Sequence, residues 1–202
     1  MKIIADPEPA VSDDKGRKIE ILRAAAQLFH LKGFHATSMS DISKAVSLTK
    51  PGLYHYVESK EEMLFAIMDH AMNLLQETVI VPAQSLSDPE QCLDLIIEMH
   101  AALVMKDRVI TILTDEMAGL NPEHFELLIQ RKQEYFRLLR GTLEQLQATG
   151  KIRSLNPTVM TFSIFGILLW LPRWFVPGGD LTRDEVIHQV KQVIYGGIMQ
   201  SS

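Results

Sequence analysis

Thr37-Ser-Met-Ser-Asp-Ile-Ser-Lys-Ala-Val-Ser-Leu-Thr-Lys-Pro-Gly-Leu-Tyr-His-Tyr-Val-Glu-Ser-Lys-Glu61 is the stretch that decides the fold. Ser38 with Asp41 has capping-box spacing and opens a short helix. Thr49 can cap a second short helix whose first turn accepts Pro51 and whose Leu53 points back into a core. Ser59 with Glu62 opens a third. Two short helices joined by a tight turn, followed by an abrupt helix start, is the layout of a helix-turn-helix, which places one short helix in the DNA major groove. Such a helix leaves Lys50 and the Pro51-Gly52 surface facing base edges. Tyr54, His55 and Lys60 lie where hydroxyl, imidazole and ammonium groups reach phosphates, and the free N–H groups at the Ser59 helix start add an anion site. Ser38, Lys44 and Thr49 complete the expected DNA-facing set. The bland alternatives are a merely solvated Lys44 and a core aromatic at Tyr54 or Tyr56; Tyr56 is assigned to the core and Tyr54 to phosphate.

Charge supports this assignment where the total does not. The net charge of −5 argues against nucleic acid. From Lys15 to Lys60, however, eight Lys/Arg face only Glu20, Asp41 and Glu58, a balance of +5. From Glu61 onward eleven basic residues face eighteen acidic ones, a balance of −7. The positive field coincides with the helix-turn-helix, which is where phosphate binding needs it.

Outward from that block, every segment reads as helix bounded by capping chemistry. Ile21, Leu22, Ala25, Leu28 and Phe29 make an apolar stripe at helical spacing, closed by Gly33. The helix from Ser59 is expected to end at Pro82. The next opens on Ser87 with Glu90, or on Asp88 with Pro89 in its first position, and carries Cys92, Leu95, Ile96, Met99 and Leu103 on one face. Asn121-Pro122 and Asn156-Pro157 are cap-plus-proline starts, and Thr182 with Glu185 is a further capping box. Gly119, Gly150 and Gly178-Gly179 are read as helix closers. No segment alternates at period two long enough for a strand. The expected fold is all-α with about nine helices: a flexible arm (1–14), a three-helix DNA-binding head (15–60), a linking helix (61–82), and a larger ligand-binding and dimerisation domain (83–202).

Several chemistries are set aside. The 47% hydrophobic content supports a sizeable core. Lone Cys92 excludes an internal disulfide, fits a reducing cytoplasm and reads as core rather than as a catalytic thiol. The seven histidines include no His-x-x-x-His pair, so no metal is expected. No phosphate-cradling glycine loop or Gly-x-Ser-x-Gly elbow is present, so neither an enzyme nor a cofactor is expected. The acidic first fourteen residues do not form a secretory signal. The apolar run from Val159 to Phe175 contains Thr161, Ser163, Pro172 and Arg173 and reads as a buried helix rather than a membrane span.

The block from Thr37 to Leu64 resembles the DNA-binding head of TetR-family transcriptional regulators. Thr37, Ile42, Leu53, Tyr54, Tyr56, Lys60, Glu61 and Leu64 match that pattern in register. Ser47 stands where the family has its turn glycine, with Leu48, Thr49 and Val57 replacing valine, serine and phenylalanine. Ser47 is the substantive departure, because a left-handed turn position tolerates serine less well than glycine. The resemblance implies a cytoplasmic homodimer on a near-palindromic operator. It also implies a C-terminal domain that senses a small molecule, with the last two helices pairing across a two-fold axis. Effector entry would tilt the helix from Ser59, change the spacing of the heads and release the operator.

The effector is sought in a second constellation. Trp170 and Trp174 share a helix face, with Arg173 beside them. Two readings stand on chemistry alone: a planar cation and indoles gripping a phosphate-bearing ligand, or core tryptophans with Arg173 paired to Asp180. The segments Glu116–His124 and Trp170–Thr182 resemble the TetR branch that senses acyl-coenzyme A thioesters of fatty-acid or steroid breakdown, which favours the first reading for Trp170, Arg173 and Trp174. Met99 and Met117 are expected to help line the acyl site. Arg131, Lys132, Arg137 and Arg140 read as a solvated face. One rival is a sensor of lipophilic cationic drugs using Glu98, Asp115 or Glu116. Another is a helical enzyme or interaction bundle with a vestigial head, against which Lys50, Tyr54, Lys60 and the +5 segment argue.

Overall fold

The computed structural model describes the backbone of residues 11–106 and 119–199, with side chains from residue 14. The helices are α1 (Val11–Lys32), α2 (Met39–Ala45), α3 (Lys50–Tyr54), α4 (Lys60–Leu75), α5 (Val81–Gln84), α6 (Pro89–Lys106), α7 (Pro122–Ala148), α8 (Pro157–Trp174) and α9 (Arg183–Ile198). A π-helical turn, Gln76–Ile80, joins α4 to α5 without a break. With that rod taken as one, the described residues form eight helices and no strand. The chain divides into two compact units, Met1–Ile67 and Met68–Ser202. Within the described residues α1 spans Val11–Lys32, so residues 11–14 of the expected arm are helical.

Capping accounts for most boundaries. Ser38 and Asp41 form the expected reciprocal box, as do Thr182 and Glu185. In both, hydrogen bonds from the capping residue hold the carboxyl below its ordinary pKa. Asn121 and Asn156 accept from the first-turn N–H groups of α7 and α8. Of the two starts proposed for α6, Asp88 is the cap, its carboxylate accepting from Glu90 N–H at 3.1 Å.

Two expected stops do not occur. Pro82 lies inside the rod rather than ending it. A proline removes one intrahelical donor and crowds the carbonyl four residues back, and the wider π turn directly upstream is where the helix absorbs that conflict. α8 ends at Trp174, where Phe175 turns extended (ψ 125°). Gly178-Gly179 therefore lies beyond the stop in the following turn.

The α2–α3 turn shows what Ser47 must do. Leu48 N–H donates to Ser43 O at 2.8 Å and Ser47 N–H to Lys44 O at 3.2 Å. That is a Schellman closure with Ser47 as its left-handed residue, at φ 53°. The same motif closes α7, where Lys151 donates to Leu146 and Gly150 to Gln147, and there the left-handed residue is glycine at φ 70°. Arg17 on α1 secures the irregular turn by donating to Val46 O at 2.6 Å.

The N-terminal unit buries Ile21, Ala25, Phe29, Phe34, Ile42, Leu53 and Leu64. In the C-terminal unit α6 is the central helix, packed against α7, α8 and α9. Lys191 on α9 pairs with Asp94 (2.7 Å) and Glu98 (3.0 Å) of α6, and Tyr195 donates to Asp94 at 2.8 Å. Arg131 ties α7 to α4 through Asp69 (2.6 Å) and Asn73 (2.7 Å). No described helix is long and apolar enough to cross a membrane.

Ser47→Gly should remove the left-handed strain and raise the stability of the N-terminal unit by about 1 kcal/mol. Urea unfolding followed by a head-specific probe measures it; an unchanged midpoint would mean the turn carries no such strain.

Candidate nucleic-acid interface and internal pocket

α3 is five residues long, and one cap fixes its aim. Thr49 Oγ1 accepts from Gly52 N–H at 3.2 Å. A Cβ on Gly52 would sit 3.2 Å from that same oxygen, so the glycine leaves room for its own cap. Leu53 is fully buried and anchors the helix from below. Thr49, Lys50, Pro51 and His55 face solvent, Gly52 is half-buried, and Tyr54 is 48% exposed. Tyr56 is half-buried, with the His55 ring edge-on to it at 5.6 Å. Lys44 is exposed on α2.

Two residues expected at DNA are committed elsewhere. The Ser38 hydroxyl donates to Asp41 Oδ2 at 2.6 Å within the capping box. Lys60 is the second. Its ammonium donates to Phe34 O (2.9 Å), Thr37 O (3.1 Å) and His35 O (3.4 Å), and it stands 4.4 Å from the centre of the Phe34 ring. An ammonium has three donors, and these carbonyls take them all. Lys60 therefore ties the α1–α2 turn to the start of α4, and we propose that role for it in place of a phosphate contact. The neighbouring cap is present as expected, with Ser59 Oγ accepting from Glu62 N–H at 3.0 Å.

In the C-terminal unit the tryptophans stand apart from the apolar pocket lined by α4, α6, α7 and α8. Trp170 and Trp174 are 58% and 46% exposed, and the Arg173 guanidinium lies 5.1 Å from the Trp170 ring centre. The tryptophans border an open groove of about 560 Å³ between α8 and α9, with Gly166, Val190 and Val193. Added Cβ atoms at Gly166, Gly196 and Gly197 meet nothing within the chain. Met99 lines a different groove of about 770 Å³, beside Asp94, Glu98 and Tyr195. Met117, Asp115 and Glu116 lie outside the described residues. Of the arginines read as a solvated face, Arg131 is the tie to α4 and Arg140 pairs with Glu144 at 2.9 Å.

An apolar pocket of about 420 Å³ is lined by the last turns of α4 (Met72, Leu75) together with α6, α7 and α8. Ile129, Phe136, Phe162, Phe165 and Leu169 form its walls, and Phe136 packs on Phe162 at 5.1 Å between ring centres. Its polar members are Lys132, Gln133 and a buried pair, His100 and Tyr135, joined Nδ1 to hydroxyl at 3.0 Å. His100 is 2% exposed, and burial lowers its pKa to about 4. Burial drives the Tyr135 hydroxyl upward and the Lys132 ammonium downward. The imidazole is therefore neutral at physiological pH. The sequence offered one clue to this site, a histidine inside the apolar run Ile96–Met105. The walls read as ordinary core, because a concavity has no signature in helical periodicity. Among the described residues no group of His, Cys, Asp and Glu is placed to hold a metal ion.

A capped recognition helix on a basic head, joined to a helical unit with an apolar pocket, defines the class of helix-turn-helix transcription regulators. Comparisons with known proteins fix the family. Residues 21–67 match the model for bacterial regulatory proteins of the tetR family, and residues 86–198 match that for the tetracyclin repressor-like C-terminal domain. The chain belongs to the TetR family of bacterial transcriptional regulators. It is 30% identical over 200 residues to the HTH-type transcriptional repressor KstR2 of Rhodococcus jostii, covering 95% of this chain and 97% of that one. AibR, solved in complex with isovaleryl coenzyme A and operator DNA, superposes with a TM-score of 0.79 at 34% identity over 89% of this chain and 97% of its own. KstR2 of Mycobacterium tuberculosis, a ketosteroid transcriptional regulator, shares the fold with a TM-score of 0.83 at 24% identity, over 92% of this chain and 96% of its own.

Two measurements check the residue assignments. Lys50→Ala should weaken DNA binding and lower the salt-dependence slope by up to about 1, whereas Lys60→Met should leave the slope alone and cost the head about 1–3 kcal/mol of stability. Equal slope changes in the two variants would put Lys60 back on the DNA. The second concerns His100. Its folded pKa is depressed, so the unfolded chain binds more protons between about pH 6.5 and 4. Stability should fall as the pH drops through that window, by on the order of 3 kcal/mol at most, and His100→Phe should flatten the curve.

Proposed function

We propose that the protein is a homodimeric transcriptional repressor released from its operator by an acyl-coenzyme A thioester. The observation that carries this reading is the apolar pocket with a neutral polar pair and a single lysine. At about 420 Å³ it lies toward the small end of ligand sites. It suits an acyl group, with the nucleotide part of coenzyme A outside. Lys132 is the cationic side chain among the described residues lining the pocket. The likeness to AibR supports the same ligand class. A lipophilic cationic drug fits less well: among the described residues no carboxylate lines the pocket, and Glu98 is engaged with Lys191 in another groove.

The groove bearing Trp170 and Trp174 is assigned to the dimer seam. Exposed Val159, Phe162, Val193 and the two tryptophans leave α8 and α9 with an apolar surface that a second copy would cover, and three glycines there permit close approach. Control passes through α4. The helix holds Met63 and Leu64 among the buried residues of the N-terminal unit, and its last turn supplies Met72 and Leu75 to the pocket. An effector works this switch only by binding the released state more tightly than the DNA-bound one.

Fluorescence anisotropy of a promoter duplex tests the reading. Isovaleryl-coenzyme A, or a longer or steroid-derived thioester, should release the DNA, whereas coenzyme A alone and the free acid should not. Ile129→Trp, which fills the pocket, should raise the effector concentration required by at least about tenfold without weakening effector-free DNA binding. Arg173→Ala should respond like the parent. DNA binding indifferent to every thioester at saturation would refute the proposed effector class.

A further inference from the structure

His100 Nε2 is fully buried and has no hydrogen-bond partner among the described residues. A buried polar atom left unpaired is a standing penalty unless a ligand or water meets it. The atom belongs to a ring that lines the apolar pocket, and its other nitrogen is held by Tyr135. Phe165 packs against both rings, 6.1 Å from His100 and 5.0 Å from Tyr135 between centres, which fixes the imidazole plane.

We infer that His100 Nε2 is a hydrogen-bond donor to a carbonyl oxygen of the effector, and that Tyr135 is the positioning residue that sets it as a donor. The tautomer depends on Tyr135. Its hydroxyl has one partner among the described residues, His100 Nδ1. A buried hydroxyl proton must be given to an acceptor, so the tyrosine donates to Nδ1. A neutral imidazole that accepts at Nδ1 carries its proton on Nε2. Among the described residues the pocket lining thus carries a buried imidazole N–H among mostly apolar walls, beside Lys132 and Gln133. That arrangement selects an apolar ligand bearing an embedded acceptor and discriminates against a pure hydrocarbon, which would leave the donor unpaired. The matching oxygen is either the carbonyl of the thioester or an oxo group on the acyl skeleton. The inference rests on the pocket being the effector site, as proposed above.

The test compares matched probes by calorimetry on the full-length dimer. One pair is isovaleryl-coenzyme A against the thioether S-(3-methylbutyl)-coenzyme A, which lacks the carbonyl. The other is a saturated acyl-coenzyme A against its oxo-acyl counterpart. The inference predicts at least about a tenfold preference for the carbonyl-bearing member of one pair, and the pair that shows it names the oxygen. His100→Phe should abolish that preference while still binding the thioether. Tyr135→Phe, a gentler change, should reduce it by freeing the ring to put its proton on either nitrogen. Equal affinities within both pairs, in a protein that binds them, would overturn the inference and leave the acyl-coenzyme A proposal standing. Failure to bind any probe would remove both. A ligand-free check is independent of the probes: 15N spectra of histidine-labelled protein should show His100 protonated on Nε2 at neutral pH. Protonation on Nδ1 would contradict the assignment.

Discussion

The Lys60 ammonium holds the head together, and the course of the chain through α2, α3 and α4 depends on that hold. It collects carbonyls from Phe34, His35 and Thr37 at the point where α4 begins. Those carbonyls terminate the α1–α2 turn, so a single cation fixes the direction in which α2 starts and the end from which α4 departs. The Ser38–Asp41 box then starts α2, and the Schellman closure at Ser47 turns the chain into α3. The short α3, held by the Thr49 cap and the buried Leu53, has little freedom of its own. A motion delivered through α4 would therefore move the head as a body.

The other end of α4 meets a different environment. Met72 and Leu75 border a pocket whose walls are aromatic and aliphatic and which holds the buried polar pair His100–Tyr135. Neutral polar atoms in such surroundings act as selectors, since each demands a partner of fixed chemistry. The π turn at Gln76–Ile80 comes directly after, where the rod accommodates Pro82 without breaking. A helix with one end clamped by charge and the other beside a ligand-sized space would be suited to carry the proposed binding signal in a chain that belongs to a family of transcription regulators.

The head is legible in the sequence because caps and turns are local. Ser38–Asp41, Thr49 and Ser59 all act within six residues and cap where their spacing places them, and Ser47 is left-handed at the turn position that the family resemblance marks. Lys60 is not legible in the same way, because its partners are more than twenty residues away and are backbone atoms, which leave no trace in composition. Pro82 reads as a stop because a proline rule assumes a regular α-helix upstream. The conspicuous Trp170, Arg173 and Trp174 attract a ligand reading, while the two tryptophans border an open groove on α8 and α9. The pocket is made of phenylalanines, methionine, leucines and isoleucine that individually look like core. Only the arrangement of four helices leaves space between them, and sequence periodicity reports faces rather than gaps.

If ligand in the C-terminal pocket alters the heads through α4, the inter-head distance must change, and that distance is the most direct test. Cys92 is buried, so a spin label on Gln27→Cys, exposed on α1, reports the head selectively. Pulsed electron resonance on the dimer should give one distance on operator DNA and a clearly different one when isovaleryl-coenzyme A or a larger thioester is bound. Identical distance distributions in the two states, with ligand occupancy verified by mass spectrometry, would contradict coupling through α4.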